Sequence, residues 1–181
     1  MTGGRTGVVG IMHFSKDGPV VAVRFDMDSN DVTETDDPAH LPNKEGFRSC
    51  HNGAMHACGH DGHTTVGLFL AKLLVSLKDQ LKGTIKLCFQ PAEEGVRGAH
   101  AMVESGIVDD VDYMLGAHFG FKMKETGTVA CNVTDFLATT KYDAHFMGVP
   151  AHAGAAPEQG KNALLASCCA ALNLHAIARH S

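Results

Sequence analysis

Apolar residues are spaced along this chain in three distinguishable ways, and each predicts an element. Val20 to Phe25 is a near-continuous apolar run closed by Asp26-Met27-Asp28. That is the pattern of a parallel strand buried on both faces, with carboxylates at its C-terminal edge. After Gly83, Ile85, Leu87 and Phe89 alternate with Thr84, Lys86 and Cys88, which predicts a second strand. Pro91 stops it, and Glu93-Glu94 follow. Between the two, Val66, Phe69, Leu70, Leu73, Leu74 and Leu77 recur at helical spacing and predict a helix over 62–77. A short helix over 98–104 and a strand over 111–117, ending at His118, follow. Residues 29–50 are polar, contain Pro38 and Pro42, and read as a long loop.

The pattern restarts after Asn132. Residues Thr139 to Phe146 predict an amphipathic strand, 148–154 a Gly/Pro/Ala turn, and 160–175 a helix with Leu164, Leu165, Cys168 and Leu172 facing inward. The expected fold class is α/β: a partial mixed sheet with flanking helices over residues 1–135, then the start of an α+β domain over 136–181, its first strand and helix. Three predicted strands end in residues with ligand chemistry: Asp26/Asp28, Glu93/Glu94 and His118. In open α/β sheets, sites form outside the carboxyl ends of the strands.

Composition narrows the function. The formal net charge is −5 with no Lys/Arg stripe, which argues against nucleic acid as a partner. No apolar run reaches the roughly 18 residues of a membrane span, and the first residues lack the charged start and apolar core of a signal peptide. The expected location is the cytoplasm, where a disulfide framework among the six cysteines is not expected. Cys88, Cys168 and Cys169 read as small buried hydrophobes. Cys58 stands apart, because it lies among histidines in Met55-His56-Ala57-Cys58-Gly59-His60-Asp61.

Cys58 and His60, two residues apart, can converge on one metal from a turning segment, and thiolate with imidazole suits zinc. A lone pair of this kind is more often structural, but His56 and His63 crowd the same turn ahead of a helix. The adjacent carboxylates Glu93 and Glu94 need different environments: a metal can neutralise one and leave the other to take a proton. Without the strand end beside it, the pair would be an ordinary acidic loop. His118 adds a third element. Asp26 and Asp28 suit hydrogen bonds that orient ligand histidines, with loop hydrogen bonding as the even alternative. His152, in the turn of the second part, is a candidate substrate contact.

Met-His-Ala-Cys-Gly-His-Asp-Gly-His at 55–63, Gln-Pro-Ala-Glu-Glu-Gly at 90–95, Gly-Ala-His-Phe at 116–119 and Ala-His-Ala-Gly at 151–154 resemble the aminoacylase and carboxypeptidase-like metallo-amidohydrolases. The nearest branch acts on indole-acetyl amino acids and p-aminobenzoyl-glutamate. The resemblance implies that residues 1–135 are part of a metallopeptidase-like catalytic domain and 136–181 the beginning of a lid or dimerisation domain. It implies two divalent ions, manganese or zinc, with Cys58, His60, Glu94 and His118 as ligands. Glu93 would be the general base, and His152 would help stabilise the oxyanion. The implied reaction is hydrolysis of an amide in an N-acyl or N-aroyl amino acid, a small-molecule substrate, in a homodimer or heterodimer formed through the lid. Members of this family are longer and supply a further histidine ligand, so this chain is expected to be a truncated or split product with impaired activity. The alternatives are a metal-binding module without catalysis, and a partner chain that docks on a complete homologue.

Overall fold

The computed structural model describes residues 6–15, 17–95, 98–120, 125–131, 133–134 and 142–177. It divides into two compact units, residues 1–126 and 127–181. The first holds strands β1 (Val8–His13), β2 (Val20–Asp26), β3 (Thr84–Gln90) and β4 (Tyr113–Gly116) in one sheet, in the order β1-β3-β2-β4. β2 is parallel to both β3 and β4, and β1 runs antiparallel along β3. The sheet is therefore mixed, with an antiparallel edge on a parallel centre.

The connections decide where a site can form. A short helix, α1 (Leu41–Glu45), lies in the long loop after β2. The crossover from β2 to its neighbour β3 then carries helix α2 (His60–Ser76), and the return from β3 over β2 to β4 carries helix α3 (Gly98–Glu104). Parallel crossovers are right-handed. Travelling in opposite directions, the two must lay their helices on opposite faces. Phe25, Leu74 and Leu87 form the core under α2, with Val23, Leu70 and Phe89 against it. Ala22, Cys88 and Met102 form a second core under α3. β2 is thus covered on both sides and its three parallel ends open into one crevice.

Several expectations are met and some are corrected. β2, β3 and α3 fall where the apolar pattern puts them. β1 is an element that the pattern does not bring out. The 29–50 loop is not wholly irregular, since it carries α1 with Pro42 in its first turn. Of the helical-spacing residues in α2, Leu74 is buried, but Val66, Phe69 and Leu73 are 50%, 67% and 54% exposed. The buried stripe runs instead through His63, Gly67 and Leu74. Gly67 replaces a large side chain because the sheet comes too close for one: a Cβ there would stand 2.6 Å from Phe89 and 2.9 Å from Phe25.

In the second unit, helix α4 (Ala163–His175) is capped by Asn162, whose side chain accepts the Leu165 N–H at 2.9 Å. Leu164, Leu165 and Leu172 are 73%, 61% and 72% exposed, and Cys168 and Cys169 are exposed too. The inward face expected for this helix is therefore absent, because no described layer of its unit packs over these residues. The expected strand at Thr139–Phe146 lies outside the described residues up to 141, and residues 142–146 form no strand. All six cysteines are free, and Cys88 is buried. Among the described residues no helix is long and apolar enough to cross a membrane.

Replacing Gly67 by Leu is expected to destabilise the chain by about 1–3 kcal/mol or more, since α2 must move off the sheet. Denaturant unfolding checks this; an unchanged midpoint would show that α2 does not sit as close as described.

Candidate metal centre

Three strand ends and one helix start supply the centre. β2 delivers Asp26 and, two residues on, Asp28; β3 delivers Glu93 and Glu94; β4 delivers His118. The register levels them. Gly116 pairs with Arg24, so His118 stands two residues past Gly116 as Asp26 stands two past Arg24. α2 begins at His60 with Gly59 as its N-cap at φ 83°, a left-handed conformation that glycine adopts without penalty. This turn brings Cys58 and His60 round to the same side.

His60 is fully buried. Its Nδ1–H donates to the Asp28 carbonyl at 3.0 Å and to Asp28 Oδ1 at 3.2 Å. That leaves Nε2 with a bare lone pair, buried and without a hydrogen-bond partner. It faces Glu94 Oε1 at 4.0 Å. His118 uses the same device: Nδ1–H donates to the Phe119 carbonyl at 2.8 Å, and Nε2 lies 3.6 Å from Cys58 Sγ. In both rings the outer hydrogen bond selects the tautomer that offers Nε2 to a cation. Donor atoms of Cys58, His60 and Glu94 all lie within 4.8 Å of one another. The Glu94 N–H donates to Asp28 Oδ2 at 3.0 Å, so Asp28 braces both the His60 ring and the carboxylate loop.

The electrostatics favour a cation. Burial pushes the Cys58 thiol up, and the charges of Glu94, Glu93 and Asp26 push it further. A thiol among carboxylates ionises readily only when a positive charge joins them. Burial would also raise the Asp26 carboxyl, but the hydrogen bond from His63 and the charge of Arg24 outweigh it and hold the group below its ordinary value. An orphaned imidazole lone pair, a thiol and a carboxylate in reach of one another are a donor set that fits a divalent ion.

Cys58, His60, Glu94 and His118 are thus brought together, with Glu93 next to Glu94 and exposed. Asp28 accepts from the His60 ring and from the loop N–H of Glu94, and Asp26 accepts from the His63 ring, so histidine orientation and loop hydrogen bonding both occur. His56 is exposed. His152 lies in the second unit, where its Nδ1 accepts the N–H groups of Gly154 and Ala155 at 3.2 and 3.0 Å. Its neutral ring therefore carries the proton on Nε2, an exposed donor. Residues 22–176 match the family model described as Peptidase family M20/M25/M40. The chain belongs to this family. It is 56% identical to a p-aminobenzoyl-glutamate hydrolase subunit of Escherichia coli (strain K12) over 99% of its own length and 41% of that protein. It is equally 56% identical to the indole-3-acetyl-aspartic acid hydrolase of Enterobacter agglomerans, with the same coverage. Among solved structures, a dinuclear metal binding M20 peptidase of Bacillus subtilis superposes with a TM-score of 0.57 at 40% identity, over 63% of this chain and 30% of that one. The chain spans about two fifths of the length of the curated relatives, 41% in both.

The sequence pattern passes over Asn30 and Glu34, which hold the long loop that delivers Cys58. Asn30 pairs with Met55 through both backbone bonds, at 2.8 and 3.2 Å, and its Oδ1 accepts the Ala57 N–H at 2.9 Å. Glu34, buried, accepts the Ser49 N–H at 2.6 Å and a hydrogen bond from His40 at 2.9 Å. A polar residue inside a polar loop gives no signal of burial. The Ser49 N–H, then His40, hold the Glu34 carboxyl below its ordinary value. A carboxylate held low in the folded chain contributes stability that is complete above its unfolded value, about 4.3, and is lost as pH falls through the lower folded value. The Ser49 amide is therefore expected to stay protected from hydrogen exchange down to about pH 4 and to lose protection below it. In Glu34→Gln that acid step should vanish, with faster exchange already at neutral pH; equal protection in the two proteins would remove Glu34 as the loop's anchor.

Proposed function

We propose that this chain carries the metal-holding core of an amidohydrolase that cleaves N-acyl or N-aroyl amino acids. The observation that carries this is the buried, unpartnered Nε2 of His60, aimed at Glu94 and set beside Cys58 and His118. Cys58, His60, Glu94 and His118 would hold divalent cations, two of them by likeness to the dinuclear relative. The mixed Cys/His/Glu set suits zinc or manganese.

When bound, the ions supply Lewis acidity to the scissile carbonyl and make a water more acidic. The chain's own residues do the rest. Glu93, adjacent to the ligand Glu94 and not itself needed as one, takes the proton of the attacking water and returns it to the leaving amine. His152, with its proton on Nε2, can donate to the developing oxyanion. Asp28 and the Phe119 carbonyl keep the two ligand rings in the tautomer that leaves Nε2 bare. Residues 1–135 serve as part of the catalytic domain and 136–181 as the start of the lid that brings His152 and, in the whole protein, makes a dimer or a heterodimer.

The two relatives of equal identity share a substrate pattern in their names: an aromatic acyl group joined to an acidic amino acid. p-Aminobenzoyl-glutamate is the first choice, giving p-aminobenzoate and glutamate. The six free cysteines fit the cytoplasm.

Metal titration separates hydrolase from mere metal module. Glu94→Gln is expected to weaken manganese or zinc binding by about 10-fold or more, whereas Glu93→Gln should leave it within a few-fold and lower hydrolysis of p-aminobenzoyl-glutamate by about 10²–10⁴-fold, measured with these residues in the full-length protein. Full hydrolysis by Glu93→Gln would discard Glu93 as the base.

A further inference from the structure

His63 is 4% exposed and Asp26 fully buried, and neither is used by the chemistry above. With His60 and His118 they form a group whose donor atoms lie within 4.8 Å of one another. It has the composition of an ion site. The hydrogen bonds argue otherwise. The His63 Nδ1–H donates to Asp26 Oδ1, and Nε2 accepts the Phe119 N–H at 2.9 Å. Both ring nitrogens are engaged, so no lone pair remains for an ion. Asp26 is braced in turn by Arg24, whose Nη1 stands 3.0 Å from Oδ2 while its Nε donates to Gln90 Oε1 at 2.6 Å.

We propose that Asp26 and His63 are a positioning pair that locks the Phe119 amide and so sets the place of His118 over the metal centre. This rests on His118 being a ligand. Phe119 is held at both ends. Its amide is taken by His63, and its ring packs at 4.8 Å from the His63 ring. The same ring covers Gly59, where a Cβ would meet it at 3.1 Å, and Gly62 behind it. His118 stands edge-on to His63 with ring centroids 4.4 Å apart. β4 is short and ends at Gly116, so beyond it the 117–119 segment has no ladder to hold it. The pair does what the missing ladder would do. It works in one tautomer only: Asp26 demands the proton on Nδ1, and that leaves Nε2 to accept.

The carboxylate itself is required. One of its oxygens accepts the hydrogen bond from His63; the other has no hydrogen-bond partner and stands 3.0 Å from the Arg24 guanidinium as an ion pair and 3.9 Å from His60 Nε2. In Asp26→Asn the amide NH₂ must oppose His63 or Arg24, which either breaks the contact to Arg24 or flips the His63 tautomer against the Phe119 N–H.

The test uses the whole chain and cobalt(II). Imidazole ¹⁵N shifts of the metal-free protein should show His63 protonated at Nδ1 and bare at Nε2; a proton on Nε2 overturns the pair. His63→Phe keeps a flat ring and removes both hydrogen bonds, and Asp26→Asn keeps the shape. Each is expected to weaken cobalt(II) binding by about 10–100-fold, read by absorbance titration of the thiolate-to-cobalt band. His63→Gln, whose amide can donate to Asp26 and accept from Phe119, should recover affinity to within about threefold, with the parent's spectrum and stoichiometry. Parent-like affinity in His63→Phe overturns the proposal. So does loss of an ion or a changed spectrum in His63→Gln, since that would make His63 a ligand. Should His63→Phe fail to fold, the tautomer still decides. Should the parent bind no cobalt, the ligand assignment of His118 fails, and the ¹⁵N shifts report on the pair independently.

Discussion

An imidazole nitrogen with a bare lone pair, wholly buried and paired with nothing, is the condition on which the rest of this structure turns. Leaving such a group without a partner costs about 1–3 kcal/mol. His60 is kept in that state by its surroundings, since Asp28 takes its Nδ1–H twice over and so forbids the proton from moving to Nε2. The neighbourhood compounds the demand. Cys58 is pushed toward its neutral form by burial and by the acids around it. A divalent cation would relieve all three at once, since it would take the lone pair, favour the thiolate and balance the carboxylates.

The placement of these side chains is topological before it is chemical. The reversal of direction between the β2–β3 and β3–β4 crossovers puts α2 and α3 on opposite faces and leaves the parallel ends facing one crevice. Gly67 then lets α2 lie close on Phe25 and Phe89, which sets the height at which His60 and His63 enter. One glycine in the middle of a helix lowers helix propensity by about 1 kcal/mol. Here the close packing of helix on sheet offsets it. Fold and site share this contact, so a larger residue at position 67 disturbs both.

Much of this was legible in the residues. β2 and β3 announce themselves by continuous and alternating apolar runs, and the candidate ligands were readable because Asp, Glu and His stand directly after predicted strands. What was not legible has physical causes. β1 is an edge strand with exposed Val8 and Ile11, so burial leaves no strong pattern on it. α2 carries apolar residues on its outer face as well, and Val66, Phe69 and Leu73 mimic a buried stripe. Leu164, Leu165 and Leu172 in α4 mislead in the same way, because spacing records which face is apolar and not whether anything covers it. Asn30 and Glu34 are hidden for the opposite reason, as polar residues whose partners lie elsewhere in the loop, backbone N–H groups for both and the His40 ring for Glu34.

His63 marks the limit most clearly. In sequence it is one more histidine in a cluster, indistinguishable in kind from His60, three residues before it on the same helix face. The difference lies entirely in hydrogen-bond direction. His60 meets an acceptor on one nitrogen and, on the other, only carboxylate oxygens of Asp26 and Glu94 at 3.9 and 4.0 Å with no hydrogen bond; His63 meets an acceptor on one and a donor on the other. The first pattern leaves a lone pair for an ion, and the second consumes it in holding backbone. Counting histidines near a strand end therefore overstates a ligand set. The acceptor beside each ring, Asp28 for one and Asp26 for the other, together with what stands across from it, separates the ring with a nitrogen left over from the ring that holds backbone.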